Sequence, residues 1–182
     1  VKTFSDRASA LEHCRARLPD LAVLDIRLGT EAEAGFDLCR ELRTLSATLP
    51  IVFLTAKDSD LDVVSGLRVG ADDYVSKGTS LPHLLARIAA LFRRVDALRE
   101  PASASEIIER GPLRLDLDRM QALWHEAPVD LTVTEFWIVN ALARHPGHVK
   151  TRDQLMQEAN VVVDDATITS HIKRLRRKFE QC

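Results

Sequence analysis

Apolar and polar positions in the first hundred residues follow two alternating rhythms. "LAVLDI" (21–26) and "PIVFLTA" (50–56) are continuous apolar runs rich in β-branched residues, as expected of strands covered on both faces. "ADDYVSK" (71–77) reads as a third, weaker strand. Helical spacing separates these runs. "FDLCRELRTL" places Leu38, Leu42 and Leu45 on one face, "DLDVVSGLRVG" stops at Gly70, and "SLPHLLARIAALFRRV" repeats Leu84, Ile88 and Leu91. Strand and helix in alternation predict a doubly wound parallel sheet over residues 1–98.

The rhythm breaks at "REPASASE" (99–106), a small, polar, Pro-containing linker. Beyond it, "PLRLDLD", "RMQALWHE" and "APVDLT" alternate apolar and polar residues between turns, which predicts short antiparallel strands. "TVTE" (132–135) and "TRDQ" (151–154) both fit the Thr-x-x-Glu/Gln capping box and both precede apolar periodicity, with "ARHPGHV" as a turn between them. A last helix is expected from Ala166 to Phe179, with Ile168, Ile172, Leu175 and Phe179 inward. Residues 107–182 therefore read as a second, small α+β domain.

Length and composition agree. The chain has 182 residues, enough for two small domains, with 46% hydrophobic and 29% charged residues. No apolar run approaches the roughly 18 residues that span a bilayer, and no leader pattern is visible. Cys14, Cys39 and Cys182 are scattered and odd in number, which suggests reduced thiols in the cytoplasm rather than disulfides or a metal site. The net charge of −2 hides an asymmetry: residues 166–180 carry five Lys and Arg against one Glu, a local net of +4. Such a cluster on an acidic background points to a polyanion held at one place. On the last helix, Ser170, Lys173, Arg174 and Arg177 fall on one face at i, i+3, i+4, i+7 spacing, a plausible surface for a DNA major groove.

The candidate chemistry sits at strand ends. Asp25, Thr55 and Lys77 each follow or close a predicted strand, and ligands of doubly wound sheets bind where those ends converge. Asp25 would be a nucleophile toward phosphorus, Thr55 would hydrogen-bond a phosphoryl oxygen, and Lys77 would face the developing anion.

With these residues in view, the chain resembles the bacterial two-component response regulators of the OmpR/PhoB type. The resemblance is carried by "LAVLDIRLG…GFDLCRELR", "PIVFLTA", "GADDYVSKG" and "LLARIAALFRR", then by "LTVTEFWIVNALARHPGHVKTRDQLM" and "ATITSHIKRLRRKF". It implies a flavodoxin-like receiver domain followed by a winged helix-turn-helix DNA-binding domain, and no enzyme activity. It implies that a sensor histidine kinase phosphorylates Asp25, that Thr55 and Lys77 contact the phosphoryl group beside the small Ala56, and that Tyr74 is the aromatic switch. The Asp25 carboxylate and the Arg27 backbone carbonyl match Mg²⁺ ligands. Thr169 and Arg174 match base readers, while Thr167, His171, Lys173 and Arg176 match phosphate contacts. Asp72, Asp73 and Arg87 match residues that pair across a homodimer face on activation.

The sequence also departs from that family. It opens at "VKTFSDRASALEH", which looks like a second strand and helix, so the first strand, the first helix and the acidic Mg²⁺ pair are expected to be missing. The absent strand would lie between residues 1–4 and 21–26. Gly78 follows Lys77 where relatives carry Pro, the loop "RLGTEAEAG" is longer, Val63 and His83 replace a pairing Arg and Glu, and Ala166 replaces an Arg. The chain stops at "RRKFEQC", before the wing hairpin. A phosphorylation-independent DNA-binding regulator with a degenerate receiver is the alternative. An aspartyl phosphatase is disfavoured, because such enzymes need a second acid two residues after the nucleophile and position 27 is Arg.

Overall fold

The computed structural model describes residues 1–28, 31, 33–56, 69–96 and 106–182. All of the expected "DLDVVSGLRVG" helix but Val69 and Gly70, and nearly all of the linker, fall outside the described residues. The order is α1 (Arg7–Ala16), β1 (Ala22–Leu24), α2 (Ala34–Leu45), β2 (Ile51–Thr55), β3 (Asp73–Ser76) and α3 (Leu81–Asp96). There follow β4 (Ile107–Arg110), β5 (Leu113–Asp116), β6 (Gln121–Trp124), β7 (Ala127–Pro128), α4 (Val133–Arg144), α5 (Arg152–Glu158) and α6 (Asp165–Glu180).

Strands β1, β2 and β3 lie side by side and parallel, with Val23 opposite Val52 and Phe53 opposite Tyr74. One face of this sheet packs on α1 and α2 through Leu11, Leu24, Leu38, Leu42 and Phe53. The other face meets α3 through Val52, Val75 and Leu91. Helices on both faces make the sheet doubly wound, as predicted. Three expectations need correction. Residues 1–4 form no strand, because nothing among the described residues offers them a ladder. Val23 is 44% exposed, since among the described residues β1 is an edge strand and is not covered on both faces. Leu45 is 40% exposed while Leu38, Cys39 and Leu42 are buried, so the apolar face of α2 closes one turn earlier than its periodicity suggests.

Close backbone approach sets the entry to α2. Gly35 donates its N–H to the Ile26 carbonyl at 2.8 Å. A Cβ added at Gly35 would lie 1.9 Å from the Asp25 carbonyl oxygen. Only glycine lets the helix start against the end of β1. At the other end of α2, Arg43 gathers acceptors: Nε donates to the Gly70 carbonyl at 2.7 Å, Nη1 to those of Ala47 and Leu49, and Nη2 to the Asp72 carboxylate at 2.8 Å. This one guanidinium ties the α2–β2 turn to the approach to β3.

The second domain begins with four antiparallel strands in the order β4-β5-β6-β7. Strand β4 is an addition to the prediction. It buries only Ile108, too little apolar signal to stand out beside a linker. Both capping boxes are present, Thr132 with Glu135 on α4 and Thr151 with Gln154 on α5. Asp164 caps α6, accepting from the Thr167 N–H at 2.7 Å. Between α5 and α6 the chain turns through Asn160 at φ 50, a left-handed conformation that Asn tolerates. Helices α4, α5 and α6 share a core with the sheet through Leu115, Phe136, Ile138, Leu155, Ile168 and Leu175.

The N3 residue of α4 has a second task. Glu135 is fully buried; it accepts from Arg174 Nε, from Lys178 Nζ at 2.7 Å and from the Thr132 N–H at 2.9 Å. Burial works to raise its pKa, but the charges of Arg174 and Lys178 and these hydrogen bonds win and hold it at about 2.

Two stability predictions follow from this packing. Gly35→Ala forces the start of α2 away from Asp25 and is expected to cost about 1–3 kcal/mol in chemical denaturation. Glu135→Gln leaves Arg174 without its buried counter-charge and is expected to cost about 3–5 kcal/mol. Because the folded pKa of Glu135 is depressed, its contribution is complete above pH 4.5 and is lost as pH falls toward about 2. Acid titration of stability in the parent and the Gln variant checks this: the parent should show the extra acid sensitivity, and parallel curves would refute the assignment.

Candidate functional site

Parallel pairing brings the carboxyl ends of β1, β2 and β3 to one rim. Asp25 follows β1, Thr55 closes β2 and Lys77 follows β3. The Lys77 N–H donates to the Thr55 carbonyl at 2.9 Å, which fixes the two side chains beside each other. Lys77 Nζ donates to Asp25 Oδ2 at 2.6 Å. The Thr55 hydroxyl and the Arg27 backbone N–H also donate to the Asp25 carboxylate. Three residues up to 52 positions apart therefore meet at one carboxylate.

Partial burial works to raise the Asp25 pKa, but the hydrogen bonds from Lys77 and Thr55, the Lys77 charge and the Arg27 amide outweigh it. The carboxyl is held below its usual range and is anionic at neutral pH. It remains open to solvent, its side chain 28% exposed and that of Lys77 52%. Ala56 is exposed at the end of β2. Tyr74 is buried in the core, its ring centroid 6.2 Å from that of Phe53.

Among the described residues no three His, Cys, Asp or Glu side chains group to hold a metal. The Asp25 carboxylate is engaged by Lys77 and Thr55.

Asp72, Asp73 and Arg87 were expected to pair across a dimer, yet here their charges are satisfied within one chain. Arg87 Nη1 donates to Asp73 at 3.0 Å, and Arg43 Nη2 to Asp72. Burial nevertheless raises the Asp73 carboxyl to about 6, with the Arg87 charge acting against the rise. Asp72 is lowered in spite of its burial, by the Arg43 charge and by the amides of Thr134 and Ile51.

The expected basic face of α6 is divided, which corrects the reading from its spacing. Lys173, Arg176 and Arg177 are exposed, whereas Thr167, Ser170, His171 and Arg174 are buried. Thr169 lies between, its hydroxyl donating to the Asp165 carbonyl at 2.7 Å and accepting from Arg152 Nε at 3.1 Å. Arg174 keeps only 5% exposure and lies against Glu135, His171 and the Ala71 carbonyl. His171 is neutral: burial foremost, then the Arg174 charge, push it down to about 4. Arg152, Lys173 and Arg176, with Leu142, Ile172 and Phe179, are among the residues lining a cavity of about 1010 Å³.

Some residues of consequence escaped the sequence reading. Arg43, Arg94, Thr134 and Glu135 carry buried polar contacts, and Arg152 supports Thr169. Glu135 was visible only as a cap, and the partners of Arg43 and Arg94 lie 29 and 40 positions away.

Comparison with known proteins agrees with this architecture. The family described as "Response regulator receiver domain" matches residues 1–89, and "Transcriptional regulatory protein, C terminal" matches residues 126–182. The chain is 38% identical to the transcriptional regulatory protein CreB of Escherichia coli (strain K12), covering 98% of this chain and 77% of that protein. It is 40% identical to the two-component response regulator PhoP of Pseudomonas aeruginosa, covering 100% of this chain and 79% of that protein. The fold of a RitR mutant superposes with a TM-score of 0.72 at 22% identity, covering 98% of this chain and 78% of that one. Among the described residues no helix is long and apolar enough to cross a membrane. The chain belongs to the OmpR/PhoB-type two-component response regulators, transcriptional regulators that join a receiver domain to a DNA-binding domain.

Proposed function

We propose that Asp25 is the residue a partner histidine kinase phosphorylates in this regulator, in the cytoplasm, and that α6 then carries the DNA contacts. The convergence of Thr55 and Lys77 on the Asp25 carboxylate carries this reading. An anionic Asp25 oxygen attacks the phosphorus of a phosphohistidine. The new P–O bond gives an acyl phosphate, the P–N bond breaks, and the departing imidazole takes a proton. Lys77 Nζ and the Thr55 hydroxyl, which now donate to the carboxylate, transfer to phosphoryl oxygens, and the exposed Ala56 leaves room for them. Tyr74, inward beside Phe53, is the aromatic residue that follows Thr55.

Receiver domains of response regulators generally use Mg²⁺ in this step. Asp25 and the Arg27 carbonyl would supply part of its coordination. Asp25, Thr55 and Lys77 would meet the phosphoryl group itself.

On DNA, Thr169 and Arg174 are assigned to bases, and Thr167, His171, Lys173 and Arg176 to phosphates, with Ser170 and Arg177 on the flanks. Activation would pair two copies through the surface around Asp72, Asp73 and Arg87.

Incubation of the intact chain with acetyl phosphate should add one phosphoryl group by mass spectrometry, and Asp25→Asn should abolish it. Equal labelling of that variant would contradict the assignment. Lys173→Ala and Arg176→Ala should each weaken binding about uniformly across DNA sequences and lower the salt slope by about 1. A sequence-selective loss in salt-dependent binding measurements would instead place these side chains on bases.

A further inference from the structure

We propose that Thr169 reads DNA through its methyl group, so that α6 selects a thymine, by its 5-methyl, at the base pair that faces this residue. The proposal deepens the reading of α6 as the DNA-contacting helix and rests on it. The outward side of α6 carries Ala166, Thr169, Lys173 and Arg176 in one stripe, at i, i+3, i+7 and i+10. Ala166, Lys173 and Arg176 are exposed and Thr169 is partly buried. The two long cations stand on the C-terminal half of the stripe and the two short side chains on its N-terminal half. In a recognition helix the N-terminal residues come nearest the base edges. A long cation reaches a phosphate from a distance, whereas a short side chain meets a base directly or not at all.

Hydrogen-bond accounting decides what Thr169 has to offer. A threonine hydroxyl carries one proton and two lone pairs. The proton is committed: Oγ1 donates to the Asp165 carbonyl at 2.7 Å, one turn back along the helix. Arg152 Nε, from the first turn of α5, donates to the same oxygen at 3.1 Å and takes one lone pair. A bond of this kind turns the oxygen onto its own helix, and the branched Cβ leaves few other χ1 settings there. Thr169 therefore has no donor for the purine N7, guanine O6 or thymine O4 acceptors. What it presents is a methyl group, and Ala166 presents another one turn earlier. In the major groove the 5-methyl of thymine is the apolar partner for such a group. Burial of one methyl group favours thymine about fourfold over the same base without it.

The test uses the intact chain and two variants. Thr169→Val keeps a methyl and removes the hydroxyl, and Thr169→Ser keeps the hydroxyl and removes the methyl. A duplex that the parent enriches from a random library is remade with deoxyuridine in place of each thymidine in turn. Deoxyuridine pairs in the same way and lacks only the methyl. Fluorescence anisotropy reads affinity. In the parent, one such replacement should lower affinity about fourfold; Thr169→Val should keep that difference and Thr169→Ser should lose it. Equal affinity of the parent for thymidine and deoxyuridine at every position overturns the methyl contact. A difference that survives in Thr169→Ser assigns the contact to another residue, and one that disappears in Thr169→Val puts the hydroxyl on the base; either overturns the proposal. A parent that binds DNA without enriching any sequence also overturns it. A parent that binds no DNA removes the DNA-contacting role of α6 itself, and the assignment with it.

Discussion

The described structure depends on one buried carboxylate. Asp72 accepts from Arg43 at the end of α2, from the Ile51 N–H at the start of β2 and from the Thr134 N–H at the start of α4. Its backbone carbonyl takes His171 and the Thr134 hydroxyl. A charge in such a place is tolerable only when its lone pairs are filled. The carboxyl stays ionised in spite of its burial because Arg43 and these donors surround it. Two elements of the receiver and one of the DNA-binding domain are therefore positioned by the requirements of a single side chain, and moving any of them exposes or starves it.

That requirement has consequences for signalling because of where Asp72 lies in the chain. It stands immediately before β3, and Lys77 stands immediately after it. The strand between them pairs with β2, which ends at Thr55. The Asp72 contacts with the second domain and the residues proposed to meet the phosphoryl group are thus at opposite ends of one hydrogen-bonded strand pair. The Asp72–Asp73 surface proposed for dimers is also the surface that faces the second domain. The proposed pairing of receivers would therefore have to share this segment with the contact to the second domain. A phosphoryl group need only shift that balance, and couplings between sites of about 1–3 kcal/mol are typical.

The receiver site was legible in the sequence because its logic is local: each of Asp25, Thr55 and Lys77 ends a strand, and parallel order aligns strand ends. The capping boxes were legible for the same reason, since Thr132 and Thr151 act within one helical turn. What was not legible depends on distant partners. Spacing placed Arg174 on a solvent-facing side of α6, but that side turns onto residues about a hundred positions earlier. A helical wheel knows one apolar face and one polar face; α6 has a third, polar and buried. Residues 1–4 were misread because a strand is a property of a pair, and β4 was missed because a single inward Ile is a weak signal. Neither Arg43 nor Arg94 carries a local mark of burial, since each is paired through tertiary contacts 29 and 40 positions away.

The DNA-reading role proposed for Arg174 has to be weighed against its burial. Its Nε donates to Glu135, within the second domain, while its Nη groups donate to the Ala71 carbonyl, across the domain boundary. Breaking a buried ion pair costs about 3–5 kcal/mol, more than the roughly 1–3 kcal/mol that a bidentate contact to guanine supplies. An Arg174 that abandoned Glu135 for a base would lose by that comparison. Separation of the domains avoids the loss, because it frees the Nη groups alone and leaves Nε on Glu135. The Glu135 ion pair therefore fixes the direction of the guanidinium, so any DNA contact proposed for Arg174 has to be made by its Nη groups with Nε still on Glu135.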